Sequence, residues 1–534
     1  IPGTVHLVDV SGRSTGRHAP KSEHIILVPQ PSDDPEDPLN WSENRKLLNL
    51  CMAFVYTLGI GIPTTLHSSI YADIVADTGI SMSVFVQSAA IMYLFMGWSC
   101  AIWQPIALSY GRRGTYLFSL LLCVPLTVWG SYSTTPAEWY IQRALLGFVC
   151  GPIESQPEVT VFDLYYAHNR GSYMGAYIWV LFASTNIAPL MAGFANDAYG
   201  WRWTINIGAL VAAAAFVIVY LFGEETMYFR GTATEGTIVG TVASDADEQD
   251  VDQEKADTKI PSRQTDDALR VNGLATNPYL LVTSWDHQKP FRFLSGRPSF
   301  KGVLKMMYRP IIMIWDFPCT AWAGLLYGIN LAWYSILNGT TSAILSAPPY
   351  NWSTSSIGLI YIAPFLGGGV GWFWSGWIAD KWAIWLARRN GGIREAEHRL
   401  WPVTGVAVVG AGGLLLWGVG ADHGLHWIGL AFGLALMNFA IVAGGGIAVS
   451  YNVDCFKEIG GETMVSVMII RNTIGFAFGY AITPWYTNMG LTNCFIMAAC
   501  LCIAFNASFL LMLKWGKGLR KRSAQKGYDY LASA

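Results

Sequence analysis

The chain has 534 residues, of which 52% are hydrophobic, 14% aromatic and only 13% charged, and its formal net charge is −2. So little charge, about half the share usual in soluble proteins, excludes an ordinary soluble domain, whose surface must be polar enough to stay dissolved. The near-neutral balance excludes general nucleic-acid binding, and the nine cysteines, most of them inside apolar runs, show no metal-ligand spacing, so no metal, disulfide framework or cofactor is expected.

Residues 1–46 are polar, carry Pro29, Pro31, Pro35 and Pro38, and read as a disordered tail without the apolar core of a signal peptide. Crossing the hydrocarbon of a bilayer takes about 20 mostly apolar residues. Such runs follow near 47–70, 83–108, 115–133, 137–161, 172–197 and 203–222. A polar stretch, 223–309, is acidic in its middle (Asp245, Asp247, Glu248, Asp250, Asp252, Glu254) and reads as a solvated linker. Further runs lie near 310–338, 353–378, 401–420, 425–449, 463–486 and 491–513. The expected architecture is therefore an all-α membrane protein. Twelve transmembrane helices form two pseudo-symmetric six-helix bundles, 47–222 and 310–513, with a tail at 514–534.

Lysine and arginine in the loops orient such a protein. One set of loops carries Arg45, Lys46, Arg112, Arg113, Arg170, Lys381, Arg388, Arg389, Arg394, Arg399, Lys457 and the basic tail from Lys514 to Arg522, whereas the opposite set carries only Arg202. Both termini are expected on this basic face, the cytoplasmic side. Asn351-Trp-Ser353, a glycosylation sequon, falls in an opposite-face loop.

The halves echo each other. Gly111-Arg112-Arg113 follows the second run, and Gly376-Trp-Ile-Ala-Asp380-Lys381 follows the eighth. Asp163 follows the fourth run, and Asp454 follows the tenth. Arg112, Arg113, Asp163, Asp380, Lys381 and Asp454 are thus candidate gating residues at the basic-face helix ends. Two parallel six-span halves suit a rocking transporter with its site at the midplane.

An ionisable residue inside a span is a candidate functional group because it is costly there. The fourth run holds Arg143, Glu154 and Glu158. On an unbroken helix, residues four apart share a face, and the eleven-residue step from Arg143 to Glu154 returns to within about 20° of it. All three are expected to face one cavity. Two carboxylates that close in a low dielectric resist ionising together, so one is suited to hold a proton and release it when a cation binds. The alternative is a structural pairing of Arg143 with one glutamate. Pro152 and Pro157 flank Glu154 and bend the helix. Arg471 in the eleventh run is a candidate countercharge or gate, and Asn330 in the seventh a candidate polar contact. Trp333 and Tyr361 are placed to stack on a cationic ligand, with packing as the alternative. No histidine lies deep in a span.

With these landmarks, the chain resembles the major facilitator superfamily, and within it the fungal twelve-span drug:proton antiporters and their polyamine- and histidinol-transporting relatives. The resemblance rests on Leu58-Gly-Ile-Gly-Ile-Pro63, Arg143-Ala-Leu-Leu-Gly147, Asp163-Leu-Tyr-Tyr-Ala-His-Asn-Arg170, Gly200-Trp-Arg-Trp203, Glu225-Thr226, Ala387-Arg-Arg-Asn390 and Arg471-Asn472-Thr473. It runs from Asp37 to the last span, apart from the 231–300 linker. Leu108 and Ser109 stand where the family carries a gating aspartate and a basic residue, whereas Asp380 and Lys381 keep that pair in the second half. Ala188-Pro189 and Ala192-Gly193 stand where the family's antiporter motif has further glycines.

The resemblance implies alternating-access transport of a small organic, cationic solute, a drug, toxin or polyamine-like amine, by a monomer in the plasma membrane or vacuolar membrane. Proton-coupled export is the leading expectation and proton-coupled uptake the alternative. No Walker-type phosphate loop is present, so ATP drive is not expected. A membrane enzyme would need a catalytic cluster that the lack of deep histidines argues against. A non-transporting receptor is the remaining rival.

Overall fold

A computed structural model describes residues 4–6, 18–19, 22–26, 34, 37–228, 300–390, 393–456 and 459–532. Most of the expected 223–309 linker (229–299), most of the expected tail before residue 37, and Lys457 lie outside the described residues.

The first half contains α1 (Glu43–Thr65), α2 (Tyr71–Thr78), α3 (Met82–Tyr110), α4 (Arg112–Tyr132), α5 (Pro136–Cys150), α6 (Gln156–Leu164) and α7 (Ala167–Phe222). The second contains α8 (Phe300–Asp316), α9 (Pro318–Ser346), α10 (Thr354–Leu359), α11 (Ile362–Phe373), α12 (Ala379–Arg389), α13 (Val403–Asp422), α14 (Trp427–Cys455), α15 (Gly460–Met489), α16 (Leu491–Ala507) and α17 (Phe509–Ala532). Helices dominate because a bilayer offers backbone N–H and C=O groups no water, so each must be satisfied within its own segment. The strands are short. Thr4–His6 pairs antiparallel with Ile393–Glu395, and His18–Ala19 with Ser22–Ile26.

Nine helices among the described residues are long and apolar enough to cross a membrane, or ten if α8 and α9, bent by 92°, are one span. This differs from the twelve expected at three places. The run at 137–161 is broken into α5, a 3-10 turn over Gly151–Glu154, and α6. The runs at 172–197 and 203–222 are joined in α7, a 56-residue helix interrupted only at Gly200, whose φ of 78° leaves the helical region. The run at 310–338 also divides, at Phe317, so that residues 310–316 belong to α8 and the apolar stretch proper begins at Pro318. Proline at a helix start costs nothing because its missing N–H has no intrahelical partner there.

Within the first half α1 and α4 pack on α7, and α3 packs on α5. Within the second, α9 packs on α15 and α14, α11 and α13 on α14, and α16 on α13. The halves meet along two seams, α3 against α15 and α7 against α10 and α11. Small residues let these helices approach closely. A Cβ at Gly367 of α11 would strike the Ala435 carbonyl of α14, and one at Gly97 of α3 would lie 2.5 Å from the Asn472 Cβ of α15.

Candidate functional site

The break after α5 shapes the buried polar centre. Pro152 and Pro157 have no N–H to give, so the carbonyls they would have bonded need other donors. Two carbonyls in this segment are answered by side chains. Cys100 Sγ donates to the Gly151 carbonyl at 3.3 Å, and the Tyr177 hydroxyl donates to the Ile153 carbonyl at 2.5 Å. The 3-10 turn over Gly151–Glu154 changes the rotation from Arg143 to Glu154, and Ser155, which leaves the helical region (φ −129°, ψ −33°), breaks it between Glu154 and Glu158.

Arg143 therefore does not share a pairing with Glu154 or Glu158. Its Nη1 donates to the Thr64 carbonyl at 3.0 Å and lies 3.6 Å from Met92 Sδ, with the guanidinium 6.0 Å from the Trp139 ring centre. Thr64 is in the last turn of α1, where carbonyls lack intrahelical donors and a cation is favoured. In this conformation Arg143 caps α1.

Glu154 instead forms an ion pair with Arg471 of α15, a contact across the two halves. Both are buried, at 3% and 2% exposure. Arg471 Nη2 also donates to the Asn472 Oδ1 at 3.1 Å, and its guanidinium lies 4.7 Å above the Tyr327 ring of α9. Glu158, at 2% exposure, has no hydrogen-bond or ion-pair partner among the described residues. The centre thus holds one neutralised carboxylate and one without a partner, both shut off from bulk water. A ligand reaches either of them only if the seams part.

The other expected ligand contacts lie apart from this pair. Asn330 Nδ2 donates to the Leu326 carbonyl (2.8 Å) and to Asn506 Oδ1 (3.2 Å), tying α9 to α16 inside the second half. Trp333 packs edge-on against Phe478 at 5.2 Å, and it shares one apolar cluster with Tyr361. Sequence reasoning missed Tyr327 and Tyr177, whose rings look like ordinary core. It also missed Asn186 of α7, which accepts from the Tyr334 hydroxyl of α9 at 2.8 Å and links the halves again. A polar amide inside an apolar run was the available signal.

Most of the candidate gating residues join a polar network in each half. Arg112 Nε lies 2.7 Å from Asp163 Oδ2, and Thr226 Oγ1 donates to that oxygen at 3.2 Å. Glu225 accepts the backbone N–H groups of Arg112 and Arg113, each at 3.0 Å, so its carboxylate sits on the N-terminus of α4. Gly111 makes this approach possible: its φ is +114°, and a Cβ would lie 2.5 Å from Glu225 Oε2. Arg113 turns its Nη2 to the Tyr220 carbonyl at 2.6 Å. Glu225 supplies an acidic group here, where Leu108 leaves none.

In the second half, Arg399 pairs with Asp380 and, at 3.2 Å, with Asp454, which Arg394 also reaches at 3.0 Å. Lys381 is not in this network. Its Nζ lies 3.6 Å over the Trp377 ring. The network draws on Arg394 and Arg399, which precede α13, because the loop folds back over the end of α12; linear spacing from Asp380 gave no indication of them.

A sequence profile described as the Major Facilitator Superfamily matches residues 50–484. The chain belongs to that superfamily. Two fungal relatives align over nearly the whole chain. One is the uncharacterized MFS-type transporter C1271.10c of Schizosaccharomyces pombe, 28% identical, covering 99% of this chain and 94% of its own length. The other is Protein HOL1 of Saccharomyces cerevisiae, also 28% identical, covering 97% and 95%. Among solved structures, the human organic anion transporter MFSD10 (TETRAN) superposes with a TM-score of 0.55 at 14% identity, over 87% of this chain and 99% of that one. That likeness supports the major facilitator fold alone. The protein is an integral membrane transporter of the superfamily.

Proposed function

We propose that this transporter exchanges protons for a small organic cation, an amine or cationic drug, with Glu158 as the group that carries the proton. One observation supports this reading most: Arg471 is already committed to Glu154, while Glu158, four residues on and equally buried, has no partner among the described residues. An ionised carboxylate left unpaired in a low dielectric is costly. It is relieved by a proton or by a cationic solute, and the two relieve it in competition. That competition is the basis of coupling. The Tyr327 ring lies under the Arg471 guanidinium and the Tyr177 hydroxyl donates to the Ile153 carbonyl, so both border the same centre.

Alternating access then takes the form of parting the α3–α15 and α7–α10/α11 seams. The Glu154–Arg471 pair acts as a central tie, and the Arg112–Asp163–Glu225 and Asp380–Arg399–Asp454 networks as basic-face gates. Both termini are assigned to the cytoplasm, the transporter to the plasma membrane, the working unit to a monomer, and the direction to export. Exchange of one proton for one monovalent cation moves no net charge, so the pH gradient supplies the energy, about 1.4 kcal/mol or a tenfold solute gradient per pH unit.

The test is substrate-dependent proton flux in proteoliposomes, with a panel of amines and cationic drugs, for the wild type and Glu158→Gln. The expected result is that cationic solutes drive proton flux in the wild type, and that Glu158→Gln, which can neither release a proton nor pair with a cation, loses the proton flux and binds the cationic solutes more weakly. Solute movement without protons in the wild type, or unchanged proton flux in the variant, overturns the assignment.

A further inference from the structure

Helix α8 leads into α9 at 92°, so it runs across the end of a membrane-spanning helix rather than along it. Its exposed residues follow a pattern. Phe300, Leu304, Tyr308, Ile311, Ile312 and Trp315 are 77%, 55%, 48%, 37%, 43% and 84% exposed. At 100° per residue, these six positions fall within an arc of about 120°. Val303, Arg309, Pro310 and Met313 are buried and lie on the opposite side. Lys305, at about 140°, lies just past one edge of the apolar arc, and Lys301, at about 100°, lies just inside that edge.

More than four turns of aromatic and aliphatic side chains facing water would be a large unfavourable patch. The C-terminal end of α8 is continuous with α9, which packs against α14 and α15, so the arc begins at the edge of the apolar helix bundle. Trp315, beside the bend, stands where tryptophan favours the lipid interface. Lys301, exposed near one edge of the arc, matches the arrangement in which a long cationic side chain extends from an apolar bed toward headgroups. The buried side of α8 is fastened to the protein. Arg309 Nη1 is 3.3 Å from Glu462 Oε1, and Ser466 Oγ donates to the Pro310 carbonyl at 2.7 Å, both at the start of α15, and α8 also packs on α3.

We propose that α8 is a membrane-surface helix whose Phe300–Trp315 arc is seated in the lipid interface of the basic-face leaflet, bilayer lipid being its partner. This holds the start of α15, the helix that carries Arg471, at a set depth next to the α3–α15 seam.

The test uses the full-length chain in phosphatidylcholine vesicles, with the two exposed cysteines, Cys51 and Cys500, replaced by serine. Single nitroxide labels are placed through Leu304→Cys, Tyr308→Cys and Trp315→Cys, so that the failure of one variant to fold leaves two. Collision with oxygen, which concentrates in lipid, is compared with collision with a water-soluble nickel chelate. The expected result is an oxygen-to-nickel ratio above one at all three positions. A ratio below one would place the arc in water. Low collision with both reagents would place it under protein, a second copy or another segment of the chain. Either result overturns the proposal.

Discussion

Replacing Arg471 with methionine tests the cross-bundle tie most directly. The substitution keeps an apolar side chain under Tyr327 but leaves Glu154, at 3% exposure, with no countercharge. Removing one member of a buried pair costs about 3–5 kcal/mol, mostly because the other ion stays buried. Glu154→Gln is the milder single change in acceptor geometry, but it leaves the Arg471 guanidinium with Asn472, the Tyr327 ring and the more distant charge of Glu158. Replacing both at once removes both ions, and such paired replacements are often close to neutral. The double variant Glu154→Gln/Arg471→Met is therefore expected to be more stable than Arg471→Met alone, with a strongly non-additive cycle. Equilibrium unfolding of the purified transporter in mixed micelles gives the four free energies. If the two single effects add within about 0.5 kcal/mol, as independent sites do, the two side chains are not paired in the resting protein and the reasoning fails. The same variants in a flux assay separate stability from transport: the double variant is expected to be folded yet inactive.

Other consequences follow from the gates and the packing. Glu225→Gln removes the charge from two backbone hydrogen bonds at the N-terminus of α4 and is expected to cost about 1.5–3 kcal/mol, read as a lowered unfolding midpoint; an unchanged midpoint would show that Glu225 is not bound there. Lys381→Ala removes only a contact with the Trp377 ring, expected to be worth about 1 kcal/mol or less, whereas Asp380→Asn takes a partner from Arg399 and is expected to be the more damaging of the two in transport rate; the reverse order would place Lys381 in the gate. Gly367→Leu drives a side chain into the Ala435 carbonyl, and overpacking of about 1–3 kcal/mol is expected to lower the yield of folded protein, whereas wild-type yield would show that α11 and α14 can separate.

The sequence by itself determined the membrane class and most helix positions, because the need to bury a hydrocarbon-length apolar run is local. It also displayed the costly residues Arg143, Glu154, Glu158 and Arg471, since a charge in an apolar run stands out wherever it lies. It did not determine which of them meet. The periodic reading put Arg143 and both glutamates on one helix face, which holds only while the backbone stays helical. Over Gly151–Ser155 it does not, first tightening to a 3-10 turn and then leaving the helical region, and Arg143 turns instead to the Thr64 carbonyl. The partner of Glu154 lies 317 residues away, and that choice belongs to the packing of α3 on α15. The basic-face gates show the same division. Asp163, Asp380 and Asp454 were visible as acidic residues at helix ends, but Glu225, Arg394 and Arg399 joined them only through loops that fold back over those ends. Lys381, adjacent to Asp380 in the chain, was left outside because successive residues on a helix point about 100° apart. Pairing is decided by which surfaces the helices bring together, and that information is spread over the whole chain rather than held at any one position.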